Sequence, residues 1–282
     1  MDARSFLGME PVSGPLHWRM VVLPELATPG NFLFGGCGLA AGVVALEAAA
    51  GRPTVWASAQ YLSYAPTGAV VEVEVTLPAV GGSITQGRAI ARCDGREVLT
   101  VNASLGAPRM EVREVWAAPP VVPPPDECPP RRLPIPDAER SIMSSVDVRV
   151  ASGESFDDLH HGDAPDSALW ARVPGHVDPS AALLAVFGDY VSGSASKPLG
   201  RMAWGRSLDN TLRMVQLVPT EWVLCDIRMH AVVGGYGQGV AFLWSESGRL
   251  LATASQSISI RFWDETPAGI PSTEGPDPRT VM

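Results

Sequence analysis

The sequence has few cysteines and no closely spaced pair of them. Four cysteines, Cys37, Cys93, Cys128 and Cys225, are spread over 282 residues, and none forms a Cys-x-x-Cys motif. Metal sites and disulfide frameworks usually show closely or regularly spaced cysteines. The sequence therefore argues against a metal centre and a disulfide scaffold, and it fits a reducing compartment.

An excess of positive charge is also missing. Lysine and arginine total 21 against 30 aspartate and glutamate residues, so the formal net charge is -9. A protein that binds nucleic acid without regard to sequence replaces phosphate counterions with clustered lysine and arginine. No nucleic-acid partner is therefore expected, whereas a small anionic ligand could still bind a local basic pocket.

Long hydrophobic runs are absent as well. The longest apolar stretch, residues 35–50, contains Glu47 and is too short to cross a bilayer, which takes about 20 residues of helix. Residues 1–10 show no basic start followed by an apolar run, so no secretory signal is expected. Together with the scattered cysteines, these features predict a cytoplasmic protein without a membrane span.

The chain does contain enough apolar material for a core, and it contains one segment rich in proline. Hydrophobic residues make up 46% of the chain, and residues 117–136 include nine prolines. Proline lacks the amide hydrogen that helices and central strands need, so this segment is predicted to be extended. We predict one domain over residues 1–116, a linker over 117–140 and a second domain over 141–282.

The two halves show a weak internal repeat. In each half an apolar helix precedes four β-like runs, and the last two runs are joined by a turn signal, Asp94-Gly95 or Ser247-Gly248. The second helix is predicted to begin at Asp178-Pro179 and to end at Gly193. The predicted helices cover residues 35–50 and 180–192; the predicted strands cover 54–63, 70–77, 84–92, 97–105, 201–213, 221–230, 237–245 and 249–260.

Both predicted helices are apolar nearly all round, so they should be enclosed rather than lie at a surface. An antiparallel sheet wrapped around such a helix, twice in one chain, is an α+β double hot-dog architecture. The two sheets could pair edge to edge and leave a cleft between the halves, where ligand sites commonly form. Sheet edges that stay exposed after this pairing predict a homodimer or a higher homo-oligomer.

Three polar residues of the second half are candidates for chemistry. Asp189 lies late in the apolar helix, where burial would raise the pKa of its carboxyl and suit it to act as a general base; an ordinary polar residue near a helix end is the alternative. Ser207 could orient a water molecule, or it could be a routine strand serine. If Gln256 is buried in the last strand, its amide needs partners on both oxygen and nitrogen, which suits a water-positioning group.

The order of these residues and the motifs around them resemble the type II acyl-CoA thioesterases. In the second half the similarity runs from Asp189 through Ser-Leu-Asp at 207–209, Glu-Trp-Val-Leu at 221–224 and Gly-Gly-Tyr-Gly at 234–237 to the run 248–256. In the first half it rests on residues 31–36 and 61–66. Each motif is loose on its own, whereas their order and spacing over nearly the whole chain are specific.

The resemblance implies a double hot-dog hydrolase that converts an acyl-CoA to a carboxylic acid and CoA without metal or cofactor. In that family an Asp, a Ser or Thr and a Gln hold the attacking water, and these roles fall on Asp189, Ser207 and Gln256. Asn210 departs from the pattern, because the family commonly has His there. In the first half Ala103 falls opposite Gln256, so only the second repeat should supply the set.

Other functions stay open from the sequence. Direct attack of Asp189 on the thioester, giving an anhydride, is a variant of the same reaction. A hot-dog hydratase or dehydratase would need an Asp/His pair near the helix start, for which His176 and Asp178 are the local candidates. A non-catalytic protein that binds acyl-CoA or acyl chains could have the same fold.

Overall fold

The structure, a computed structural model, describes residues 1–135, 138–153, 159–160, 164–175 and 178–262. His176, half of the pair that a hydratase would need, lies outside these residues. The α-helices are α1 (Ala3–Leu7), α2 (Gly35–Ala50), α3 (Ala181–Phe187) and α4 (Ser196–Leu199). Short 3₁₀ helices cover Gly14–Leu16, Pro24–Leu26, Pro125–Glu127, Ala138–Arg140, Ile142–Ser144 and Gly188–Gly193.

The strands of the first half are β1 (Glu10–Pro11), β2 (His17–Val21), β3 (Thr54–Tyr61), β4 (Val70–Val80), β5 (Ile84–Cys93) and β6 (Arg96–Gly106). Those of the second half are β7 (Asp147–Ser152), β8 (Asp166–Arg172), β9 (Ala203–Ser207), β10 (Asp209–Met214), β11 (Val223–Val233), β12 (Tyr236–Ser245) and β13 (Leu250–Phe262). The eight predicted strand runs are found, whereas α1, β1, β2, β7 and β8 were not predicted.

One continuous antiparallel sheet runs through both halves in the order β1-β2-β4-β5-β6-β3-β10-β13-β12-β11-β8-β7. The halves meet where β3 pairs with β10, and the cross-strand pair Ser58 and Thr211 share a hydrogen bond of 2.7 Å between their hydroxyls. Within each half the sheet packs against a central helix. The predicted double hot-dog architecture and its edge-to-edge pairing are therefore confirmed.

Helix α2 is the centre of the first half, and its small residues explain how the sheet closes around it. A Cβ atom at Gly38 would lie 2.5 Å from the side chain of Leu99, and one at Gly42 would lie 2.6 Å from that of Val101. Both partners are on β6, so glycine lets the helix approach this strand closely. Ten of the sixteen residues of α2 are buried, which confirms the predicted enclosure.

The second central helix differs from its prediction at both ends. Ser180, and not Asp178, is the N-cap, because its hydroxyl accepts a hydrogen bond from the Leu183 N–H at 3.2 Å. The α-helix ends at Phe187 and continues as the tighter 3₁₀ helix Gly188–Gly193. All seven residues of α3 are buried, so this helix is enclosed as predicted.

The predicted strand over 201–213 is two strands, β9 and β10, that both pair with β13. The register changes between them, since Ser207 faces Ile258 while Thr211 faces Ser255. At this break the Asp209 carboxylate, rather than a backbone carbonyl, accepts the Ser257 N–H at 2.7 Å. After the break, β10 turns its other edge to β3 of the first half.

The proline-rich segment is extended as predicted except for the 3₁₀ helix Pro125–Glu127, and it packs on the outer face of the second half. A buried cluster on that face contains Trp170, Trp222 and Trp244, and Trp170 Nε1 donates a hydrogen bond to the Pro123 carbonyl at 2.9 Å. The segment also pairs with β7, because the Arg131 N–H reaches the Val148 carbonyl at 2.8 Å. The β7 edge is therefore covered, and the reasoning from open edges to an oligomer fails at this edge; self-association stays a prediction.

Candidate active site

The structure brings the three predicted site residues together. Asp189 lies in the 3₁₀ helix after α3, Ser207 ends β9, and Gln256 is in the middle of β13. Gln256 Nε2 donates a hydrogen bond to Asp189 Oδ1 and lies 3.1 Å from Ser207 Oγ, whose hydroxyl donates to the same carboxylate oxygen at 3.4 Å. Asp189 and Gln256 are each only 2% exposed.

The amide of Gln256 has partners on both sides, as a buried glutamine requires. Its oxygen accepts the N–H of Ser192 at 3.0 Å, three residues after Asp189 along the same 3₁₀ helix. This bond fixes which end of the amide faces the carboxylate, so the nitrogen points at Asp189. The 3₁₀ helix therefore carries the carboxylate and also orients the residue that contacts it.

The first half contributes a hydrogen-bond donor that sequence reasoning missed. The backbone N–H of Gly36, the second residue of α2, donates to Asp189 Oδ2 at 2.7 Å. A Cβ atom on Gly35 would lie 2.9 Å from this oxygen, so glycine at the start of the helix lets the carboxylate approach. The positive end of the helix dipole also faces the carboxylate there. The Gly-Gly pair at the start of an apolar helix was the available signal.

Two further polar residues surround the carboxylate. Asn210 on β10 is fully buried, and its Nδ2 donates to Asp189 Oδ1 at 3.3 Å. The Tyr61 hydroxyl at the end of β3 donates to the Gly35 carbonyl at 2.8 Å. From the sequence, Asn210 was noted only as a departure from the family's histidine, and Tyr61 only as part of a strand motif.

Burial dominates the electrostatics of Asp189. It raises the pKa of this carboxyl from 3.8 to about 7, although the hydrogen bonds from Gly36, Gln256, Asn210 and Ser207 all lower it. A carboxyl with such a pKa exchanges its proton near neutral pH. This is the behaviour expected of a general base, and the sequence had predicted the direction of the shift.

A cavity of about 260 Å³ reaches Asp189 and is lined by both halves and by the connecting segment. Most of the lining is apolar or aromatic, including Phe32, Phe34, Tyr61, Tyr64, Trp204, Leu133, Ile135 and Met143. Its charged lining residues among the described ones are Asp189, Arg131 and Arg206. The Arg206 guanidinium lies 4.7 Å from the Tyr64 ring centroid and is exposed. Asp178, the described half of the hydratase pair, is not among these lining residues.

Comparisons with known families and structures agree with this architecture. The family profile for the acyl-CoA thioesterase N-terminal domain matches residues 23–106, and that for the C-terminal domain matches residues 125–260. A candidate thioesterase of Novosphingobium aromaticivorans is 32% identical, with 89% of this chain and 97% of that chain covered at a TM-score of 0.79. The chain belongs to the acyl-CoA thioesterase family.

Two solved structures with lower sequence identity share the fold of this thioesterase family member. A hot-dog protein of Alicyclobacillus acidocaldarius is 20% identical over 92% of this chain and 97% of its own, with a TM-score of 0.78. An acyl-CoA thioesterase II of Mycobacterium marinum is 19% identical over 92% and 98%, with a TM-score of 0.70. A search of curated proteins found no match.

Two findings concern the domain boundaries and the helices of this thioesterase family member. The C-terminal profile begins at residue 125, inside the proline-rich segment. The domain boundaries at 116 and 140 stay a prediction. In the part of the chain that the structure describes, no helix is long and apolar enough to cross a membrane.

Proposed function

We propose that this protein hydrolyses acyl-CoA thioesters to a carboxylic acid and CoA, with the attacking water held by Asp189, Ser207 and Gln256. One observation carries the proposal: a buried carboxylate with a pKa near 7 shares hydrogen bonds with a hydroxyl and an amide at the wall of an apolar cavity. The family assignment makes an acyl-CoA the substrate to test first.

In this mechanism the charged Asp189 accepts a proton from water as the water oxygen attacks the thioester carbonyl carbon. The carbonyl carbon becomes tetrahedral, and its oxygen becomes an anion. When the carbonyl re-forms, the C–S bond breaks and CoA leaves as a thiolate, which takes up the proton held by Asp189 and so returns the carboxylate to its charged form. The Ser207 hydroxyl oxygen can accept a hydrogen bond from this water. A water bound beside Asp189 would take up one of the two Gln256 N–H groups, which otherwise reach Asp189 Oδ1 and Ser207 Oγ.

The hydrogen bonds around Asp189 favour water attack over covalent attack by the carboxylate itself. Three side-chain donors reach Oδ1 and a backbone N–H reaches Oδ2. Formation of an anhydride brings a carboxylate oxygen to bonding distance of the thioester carbon and displaces the donors around that oxygen, whereas proton transfer from water occurs across a hydrogen bond and leaves the other donors in place. The anhydride variant therefore has less support from this geometry than general-base catalysis has.

The cavity suits the two ends of an acyl-CoA. Its largely apolar lining can bury the acyl group, since removal of apolar surface from water stabilises a complex. The exposed guanidinium of Arg206 has the charge that a CoA phosphate requires. A cytoplasmic location and self-association stay predictions from the sequence.

The pH dependence of turnover should report the pKa of Asp189. A general base works only when deprotonated, so kcat/KM for an acyl-CoA should fall as the pH drops through about 7, tenfold per pH unit well below it. Thiol release measured from pH 5 to pH 9 at subsaturating substrate checks this. An activity that stays level down to pH 5 would contradict a base with the pKa of this carboxyl.

Replacing Gln256 by alanine should lower kcat by roughly 10²-fold, because removal of one preorganised hydrogen-bond donor at a reacting centre has a cost of this order. The rate of thiol release from acyl-CoA substrates of increasing acyl chain length measures the loss. The matched control is Gln238→Ala, which removes an exposed glutamine from the neighbouring strand β12. If the two variants were equally active, Gln256 would have no role in catalysis. If the wild type were inactive, a protein that only binds acyl-CoA would be favoured.

A further inference from the structure

We infer that Asn210 is a positioning residue of the site: its side-chain amide holds the carboxylate of Asp189 in the charged form that accepts a proton. This inference rests on the proposed function. It concerns a position where the resemblance itself offered no role, because asparagine stands there in place of the histidine that is common in the family.

Asn210 reaches the carboxylate from a different strand than the other two side chains do. It lies on β10 opposite Ala59 of β3, at the junction of the two halves, and its Nδ2 is 3.3 Å from Asp189 Oδ1. Ser207 approaches from β9 and Gln256 from β13. The three donors on Oδ1 thus come from three strands. Together they fix the orientation of the carboxylate.

The other end of the Asn210 amide indicates that packing alone does not explain this residue. Its oxygen is buried and has no hydrogen-bond partner in the described part of the chain. A buried polar atom without a partner destabilises a fold, whereas an apolar side chain of similar size would fill the space without that cost. Besides a contact with the Tyr61 hydroxyl, what asparagine adds over leucine at this position is the N–H that it donates to Asp189.

A donor to a carboxylate stabilises its charged form over its neutral form. Removal of the Asn210 amide should therefore make Asp189 easier to protonate.

The titratable groups facing the site from neighbouring elements are Cys37 of α2, Tyr61 of β3, Tyr190 of the 3₁₀ helix and Cys225 of β11, and burial raises the pKa of each above its ordinary value. The charged neighbours are Arg131, Arg206 and Asp209. Asp189 is thus the group expected to titrate closest to neutral pH.

The test is the pH profile of Asn210→Leu, with Asn210→Asp as the second variant. In Asn210→Leu we expect the acid limb of kcat/KM to move up by about one pH unit, with about a tenfold loss below the limb and a smaller loss at pH 9. At pH 5, where Asp189 is protonated, the Tm should stay equal or rise. Asn210→Asp, which adds a like charge beside Asp189, should move the limb further. The control Asn102→Leu, at an exposed asparagine of β6, should leave it in place.

A limb that stays at the wild-type pH in both variants would overturn the inference, whatever happens to the absolute rate. A second measurement separates this from failure of the proposed function. If the wild type releases no thiol, the pH dependence of Tm still reports the titration of Asp189. Asn210→Leu should then show a larger fall of Tm between pH 5 and pH 9 than the wild type, and an equal fall would overturn the inference without any assay of activity.

Discussion

Replacing Asp189 by asparagine should lower kcat for thioester hydrolysis by roughly 10²–10⁴-fold, since general-base catalysis contributes a factor of this size and the variant has no base. The neutral amide keeps the size of the side chain, so the fold should be retained. Thiol release under saturating acyl-CoA measures the loss, and circular dichroism checks the fold. Turnover within tenfold of the wild type would remove Asp189 as the base.

The same variant should also lose part of the pH dependence of stability. The folded pKa of Asp189, about 7, lies above the ordinary 3.8, so the folded wild type binds the proton more tightly than the unfolded chain does. The contribution of this carboxyl to the stability of the wild type therefore falls as the pH rises from about 4, and it is smallest above pH 7. Between pH 5 and pH 8 this corresponds to ~3 kcal/mol, which Asp189→Asn should not lose. Glu72→Gln, at an exposed position of β4, is the control for the change in net charge.

Replacing Gly36 by alanine should both destabilise the protein and damage the site. A Cβ atom there would lie 2.8 Å from the Cα of Val186, 2.9 Å from the Ala185 carbonyl and 2.9 Å from the Cβ of Asp189. Two of these atoms are backbone, so α2 and the helix carrying Asp189 must move apart. Alanine gains up to ~1 kcal/mol in helix propensity, whereas overpacking costs about 1–3 kcal/mol and destroys the contact geometry.

We expect Gly36→Ala to lower Tm by several degrees and kcat by about 10²-fold, since displacing a reacting group by about 1 Å has a cost of this size. Thermal unfolding and thiol release measure the two effects. Gly82→Ala is the control, because a Cβ at that loop glycine would have no described atom within 4 Å. If Gly36→Ala behaves like the control in both assays, the start of α2 does not support the carboxylate.

The elements that were predicted correctly are each marked by sequence signals that span only a few neighbouring residues. The turn at Asp94-Gly95 shows this: both residues have positive φ, 51° and 75°, as the two-residue hairpin turn between β5 and β6 requires. The alternation in β4 follows its burial pattern in the same way. The strands that were missed have weaker signals, because β2 alternates over only five residues and β8 has five consecutive buried residues without alternation.

The candidate site was predictable in part. Asp189, Ser207 and Gln256 were selected by their residue types and by the order of the motifs around them, and the structure places them in contact. Gly36 and Asn210 were not selected. A backbone N–H has no residue type to reveal it, and an asparagine where a histidine is usual looks like a departure until its distance to the carboxylate is known.

By itself, the sequence determined that this chain forms two repeats, each with an enclosed apolar helix and an antiparallel sheet, and that a carboxylate, a hydroxyl and an amide are available in the second. Periodicity, turn chemistry and proline content decide these features, and all of them act over short stretches of chain. Only the tertiary structure decided that the start of α2 meets Asp189, 153 residues away, and that the proline-rich segment covers the tryptophans of the second half. Such contacts depend on strand register and on how closely two helices can approach, and both follow from the packing of the whole core.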